Sequence, residues 1–272
     1  MKLNIDVNAQ NSEGETALST ALRIGNTSIA TLLIKNGINI GNIQNPKEDS
    51  DLQMTILNII GIDSGNVNVK DKNQFTPLHK ALWHRKNSFV KLFLENGANP
   101  NEKPVSISIH NSNETFTPLG IAIYTENVKT VQLLLEHGAN PNIPCHSKYH
   151  PLEEAIQKNN LEIASLLVKN GTNVNFQNKE GLTMIYIAFW ANRMRIAKLL
   201  LEYGADINVK VNGYDLFHDA VRCGDVSAVK LFLELGNGFD SNARSIDGDT
   251  AHEIAIKLGY GHIAMMIAFK KM

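Results

Sequence analysis

The sequence predicts an all-α fold, a solenoid of stacked helix-turn-helix units with turns or β-hairpin fingers between them. Three observations carry this: a segment that returns about every 33 residues, a helix-start signal at the head of each copy, and a glycine at its tail. The segment "FTPLHKALWHRKNSFVKLFLENGANPN" from Phe75 returns as "FTPLGIAIYTENVKTVQLLLEHGANPN" from Phe116. It returns again as "YHPLEEAIQKNNLEIASLLVKNGTNVN" from Tyr149 and as "LTMIYIAFWANRMRIAKLLLEYGADIN" from Leu182. Looser copies begin at Glu15, Tyr214 and Asp249. The anchor residues of the seven copies are Thr16, Thr76, Thr117, His150, Thr183, Asp215 and Thr250, spaced by 60, 41, 33, 33, 32 and 35 residues. A fixed period of this length marks stacked supersecondary units.

Within a copy, each local signal has a physical reading. Thr76 followed by Pro77 starts a helix, with a hydroxyl acceptor at the cap and a proline where no amide hydrogen is needed. Ala81 and Leu82 give that helix a small apolar face. Val90, Phe93 and Leu94 recur at i, i+3 and i+4, the stripe of a second helix. Gly97 supplies the left-handed conformation that stops it, and Gly37, Gly138, Gly171, Gly204 and Gly236 hold the same place elsewhere. One such helix pair cannot bury both stripes alone, so neighbouring copies complete the core.

A 33-residue period carrying "TPLH…A" and "LLLE.GA..N" resembles the ankyrin repeat, over nearly the whole of residues 1–272. The resemblance implies a turn and two antiparallel helices per repeat, stacked into a curved solenoid. On this reading the chain is a single ankyrin solenoid, with repeats starting near 11, 71, 112, 145, 178, 210 and 245.

Departures from the period follow in order. "IDVNAQNSEGE" resembles the turn that follows a preceding repeat. Residues 41–70 fill the long first gap, as an insertion or a degenerate repeat; Leu52, Thr55, Ile56, Ile59 and Ile60 have helical spacing within it, and "NPKEDSD" reads as a loop. In "EKPVSISIHNSNET" from Glu102, the alternation of Val105, Ile107 and Ile109 predicts a β-hairpin finger. A tolerated insertion without a role is the competing reading, because exposed loops accept extra residues at little cost. Met265, Met266, Ile267 and Phe269 leave an apolar final helix with no later repeat to cover it. A piece of a longer protein, an irregular cap and a covering partner all fit these two ends.

Composition narrows the function. Net charge is −1 at 19% charged residues, which gives no basic face and argues against nucleic acid. No apolar run approaches the ~18 residues of a membrane span, and no long apolar core follows Met1, so membrane insertion is not expected. Cys145 and Cys223 are too few for a disulfide framework, and a reducing, cytoplasmic compartment is expected. Ankyrin arrays also occur in bacteria that live inside eukaryotic cells. The Asn- and Ile-rich composition would suit an effector secreted into a host, whose cytoplasm would then be the compartment.

Residues that suggest catalysis have a plainer reading. His79 and His218 occupy the histidine of the TPLH-type motif, which the resemblance assigns to structural hydrogen bonding. "FHDAVRCGD" gathers His218, Asp219, Cys223 and Asp225, the residue types of a Cys–His site. His218 and Cys223, however, are five residues apart on one helix and diverge by about 140°. Cys145, His146 and His150 do not reach the four ligands a zinc site usually needs. No phosphate-cradling loop or dinucleotide fingerprint is present. The expectation is no catalytic residue, no metal and no cofactor.

Two surface series remain. The residue before each anchor is Glu15, Phe75, Phe116, Tyr149, Leu182, Tyr214 or Asp249. Seven past the anchor come Arg23, Trp83, Tyr124, Gln157, Trp190, Arg222 and Lys257. The resemblance places both at a concave groove, and Trp, Tyr and Arg are enriched in binding hot spots. The expected partner-binding set is Phe75, Lys80, Trp83, His84, Phe116, Tyr124, Tyr149, Lys158, Trp190, Tyr214 and Arg222. The alternative is that the aromatics merely brace adjacent turns. Asn101, Asn142, Asn175 and Asn208 lie in the "GA-[ND]-x-N" turn, which resembles the motif an asparaginyl hydroxylase modifies. Non-catalytic recognition of another protein, through groove and fingers, is the expected function. A substrate-targeting segment of a larger enzyme is the alternative, and a Cys-dependent hydrolase is a third reading.

Overall fold

The computed structural model describes scattered residues from 9 to 33, residues 67–68 and 70, and then 74–95, 97–109, 112–146, 149–235, 240 and 242–270. The helix expected around Leu52 to Ile60 lies outside the described residues, as do Arg23, Gly37 and Gly236. The chain divides into two compact units, residues 1–140 with 144–147, and residues 141–143 with 148–272.

The first unit contains the helix pair α1 (Pro77–Trp83) and α2 (Asn87–Glu95), a hairpin of β1 (Val105–Ile109) and β2 (Ser112–Phe116), and the pair α3 (Pro118–Tyr124) and α4 (Val128–Glu136). The second contains α5 (Pro151–Gln157) with α6 (Leu161–Lys169), α7 (Met184–Trp190) with α8 (Met194–Glu202), α9 (Leu216–Arg222) with α10 (Val226–Leu235), and α11 (Ala251–Lys257) with α12 (Gly261–Lys270). Within each unit, first helices pack on first helices and second helices on second helices.

The anchor residues are the helix caps. Thr76, Thr117 and Thr183 accept a hydrogen bond from the third helical amide, and Asp215 does so at 2.9 Å from the His218 amide. Pro77, Pro118 and Pro151 follow at the first turn, where a missing N–H costs nothing. The expected stripes are buried: Leu78, Ala81 and Leu82 on α1, and Val90, Phe93 and Leu94 on α2. Each large side chain among them contributes about 1.5–3 kcal/mol when taken out of water. Gly171 and Gly204 end α6 and α8 with φ of 85° and 82°, where a Cβ would be strained.

The finger expected from Val105, Ile107 and Ile109 is present. β1 pairs antiparallel with β2, Val105 opposite Phe116, and Val105 and Ile107 face inward. On the last helix Ile267 is buried, whereas Met265 and Phe269 are exposed.

A chain of asparagines ties successive repeats together. In the first unit, Asn68 Nδ2 donates to the Gly97 carbonyl at 3.2 Å, and its Oδ1 accepts from the Asn99 amide at 2.8 Å. Asn101 does the same with Gly138 and Asn140, at 2.8 and 2.7 Å. In the second unit, Asn142 bridges Gly171 and Asn173, and Asn175 bridges Gly204 and Asp206. The carboxamide suits the place because it carries a donor and an acceptor on one short stem.

Of the second unit's anchors His150, Thr183, Asp215 and Thr250, only His150 makes no side-chain cap bond. Its ring lies on Phe176 instead, centroids 3.9 Å apart. Burial lowers its pKa from the ordinary 6.5, so the fold prefers the neutral ring. The unfolded chain therefore binds a proton first, and stability present above about pH 6.5 is lost as pH falls through that value toward the folded pKa. His150→Asn should flatten this part of the pH profile of thermal melting; an equally steep profile in the variant would assign the dependence elsewhere.

Candidate functional surface

In the first unit, Trp83 closes α1 and Tyr124 closes α3, and their rings stack with centroids 6.3 Å apart and planes 12° apart. Both are half-buried, so the stacked pair is partly open to solvent. Phe75 is half-buried in the preceding turn and meets the His79 ring edge-on at 6.2 Å. Lys80 is half-buried on α1, and His84, its C-cap residue, is exposed. Arg85, in the left-handed conformation, donates to the Thr125 carbonyl and joins the ends of α1 and α3.

Phe116 does not belong to this surface. It is 1% exposed, under the rings of Tyr124 and His146 at 5.1 and 5.2 Å. The reason is the hairpin: Phe116 ends β2 and is bridged to His146, so its side chain turns inward as strand alternation requires. Its membership of the partner-binding set is corrected accordingly.

In the second unit, the two surface series line successive clefts. One cleft, of about 440 Å³, is walled by Tyr149, Glu153 and Gln157 on one side and by Leu182, Tyr186 and Trp190 on the other, with Glu180 and Asn178 from the turn between. A second, of about 630 Å³, lies between Tyr186 and Trp190 and the group Tyr214, Asp219, Arg222 and Cys223. Trp190, 53% exposed, forms part of both. The Arg222 guanidinium sits 4.1 Å over the Tyr214 ring and donates to Asp219 at 3.2 Å, while Tyr214 donates to Asp247. Lys158, half-buried, pairs with Glu154 at 3.7 Å.

Burial pushes the Asp219 carboxyl up, against the lowering effect of the Tyr186 hydroxyl at 3.3 Å and of Arg222. Burial also raises Tyr186, with the Asp219 charge acting in the same sense. Glu153, Tyr186 and Asp219 were not expected at this surface. They stand at structural positions of the repeat; Tyr186 occupies the place His79 holds in its own copy, and that departure was the available signal.

The catalytic temptations resolve into structure. His79 is fully buried, its Nδ1 2.8 Å from the Thr76 hydroxyl, and closes a capping box. His218 is buried with Nδ1 2.8 Å from the Asp215 carboxylate. Cys223 is exposed as a residue, yet partial burial of its thiol together with the charge of Asp219 raises its pKa, the wrong direction for a nucleophile. Cys145 is buried, its carbonyl accepting from the Thr117 amide at 3.0 Å. Among the described residues no cluster of three or more metal-ligating side chains occurs, and no helix is long and apolar enough to cross a membrane. Asn101, Asn142, Asn175 and Asn208 are all exposed.

Family models described as "Ankyrin repeats (3 copies)" match residues 1–104, 59–145, 103–178 and 145–211, and one described as "Ankyrin repeats (many copies)" matches 191–233. The chain belongs to the ankyrin repeat family. The crystal structure of the human ASB11 ankyrin repeat domain has the same fold, with a TM-score of 0.51 and 22% identity, over 94% of this chain and 98% of that one. No curated protein matches the chain. Ankyrin repeats are in general protein–protein interaction modules, and the matched families are not catalytic ones.

Proposed function

We propose that this ankyrin chain is a non-catalytic scaffold that binds a partner protein through the aromatic surface of its first helices and turns, with the β1–β2 finger at the margin. The observation that carries the reading is the series Phe75, Trp83 and Tyr124 in one unit and Tyr149, Trp190 and Tyr214 in the other, none of them buried. Large rigid rings left half in water bury much area at small entropic cost when a partner covers them. Lys80, His84, Lys158 and Arg222 supply the polar margin, where charge tunes register and association rate more than affinity. The abundance of Asn and Ile supports the narrower reading of an effector delivered into a host cell.

Trp83→Ala combined with Tyr124→Ala should keep the helical circular dichroism of the wild type and retrieve markedly less partner in a pull-down. Removing two hot-spot side chains costs on the order of 2–4 kcal/mol in binding, a loss of about thirty-fold or more. A folded double variant that retrieves every partner at full strength sinks the assignment.

A further inference from the structure

The two clefts of the second unit share a wall but differ in charge. In the cleft beyond Trp190, the turn tyrosine Tyr214 and the carboxylate of Asp219 are already served by the chain's own Arg222. The cleft before Trp190 has the turn tyrosine Tyr149 and two carboxylates, Glu153 and Glu180, yet no lysine or arginine lines it. The residue that matches Arg222 in this earlier copy is Gln157, seven past the anchor in both cases.

Glu153 is the unusual member. It is 3% exposed; its Oε1 accepts from Asn178 Nδ2 at 2.9 Å, while its Oε2 is closed to water with no hydrogen-bond partner. Its neighbour Glu154 pairs with Lys158 at 3.7 Å, whereas Glu153, which also lines the cleft, is met only by the neutral Asn178 amide. A half-satisfied buried carboxylate is costly, and a cation brought over the cleft offsets that cost. Exposed Glu180 can accept a direct charge-assisted bond, and the aromatic side chains of Tyr149, Tyr186 and Trp190 line the same cleft, the residue types on which a flat cation stacks.

We propose that this cleft receives the guanidinium of an arginine on the partner protein, stacked against Trp190 and held by Glu180 and the field of Glu153. The second cleft supplies the precedent, since there a guanidinium rests on a tyrosine ring and bonds a carboxylate. Arginine fits better than lysine because its planar group both stacks and forks onto a carboxylate. This assignment rests on the docking reading above, and names the chemistry of what docks.

The test is a titration of the full chain with N-acetyl-arginine N-methylamide, following the two tryptophan indole N–H signals by NMR. The Trp190 signal should move saturably, with Trp83 as the internal control that does not. The neutral citrulline compound should bind at least about ten-fold more weakly, as should the arginine compound to Glu180→Gln, the loss of one charge-assisted contact, while Glu153→Gln should weaken binding in the same direction by a smaller factor. The lysine compound should fall between. No Trp190 response, an equal response to citrulline, or equal binding of lysine overturns the assignment. Because the citrulline comparison uses unaltered protein, its outcome does not depend on a variant folding. The docking reading would survive such a failure and falls only with the Trp83 and Tyr124 pull-down.

Discussion

Asn142→Ala together with Asn175→Ala should destabilise the chain by about 2–6 kcal/mol, from four lost hydrogen bonds at about 0.5–1.5 kcal/mol each. Each asparagine satisfies two backbone groups of the following repeat, the Gly171 carbonyl and Asn173 amide for one, and the Gly204 carbonyl and Asp206 amide for the other. Alanine leaves all four to water, which is near at hand because the side chains are exposed. That places the loss toward the lower end of the range. Aspartate at both sites keeps the acceptors and removes the donors, so Asn142→Asp with Asn175→Asp should recover part of the loss. The measurement is the denaturant midpoint of the three proteins at equal slope. A midpoint unmoved by the alanines would mean that apolar stacking alone sets repeat cohesion.

Gly120→Ala should cost about 1–3 kcal/mol, an overpacking penalty from a single methyl group. An added Cβ would stand 2.2 Å from the Cys145 carbonyl oxygen and 2.8 Å from its carbon. That carbonyl cannot simply withdraw, because it accepts the Thr117 amide at 3.0 Å and so holds the cap of α3. The comparison is His79, which fills the same place in its own copy and bonds the cap hydroxyl there. In the copy with Gly120, the backbone at Cys145 occupies the space a histidine would need. Thermal melting of the variant checks this; an unchanged midpoint would show that the Cys145 segment yields freely.

Much of the architecture was legible because repetition multiplies weak signals. A lone Thr-Pro is a modest helix start, but Thr76, Thr117, Thr183 and Thr250 at matching places all cap helices. The Val105, Ile107 and Ile109 alternation was likewise enough for the finger. The connections between the paired helices were not legible. Arg85, Glu126, Asn159 and Asn192 hold positive φ there, and only two of these four are the asparagines that local preference favours. Packing of the flanking helices imposes that conformation on whatever residue falls at the place. At the candidate surface, position in the repeat found Trp83, Tyr124 and Trp190, because helix phase fixes where a side chain stands. It misplaced Phe116, since the extra eight residues before Thr117 turn the segment into a strand with its own alternation. It also passed over Glu153 and Asp219, whose setting comes from the neighbouring copy rather than their own.

The two asparagine bridges of the second unit stand one 33-residue module apart: 142 to 175 for the side chains, 171 to 204 for the carbonyls, and 173 to 206 for the amides. Excising residues 143–175 would therefore present Asn142 with Gly204 and Asp206, the same chemistry it meets in Gly171 and Asn173. A gene for such a chain can lengthen or shorten by whole modules without orphaning a donor, so recombination can rewrite what the surface offers while the seam between modules is inherited unchanged.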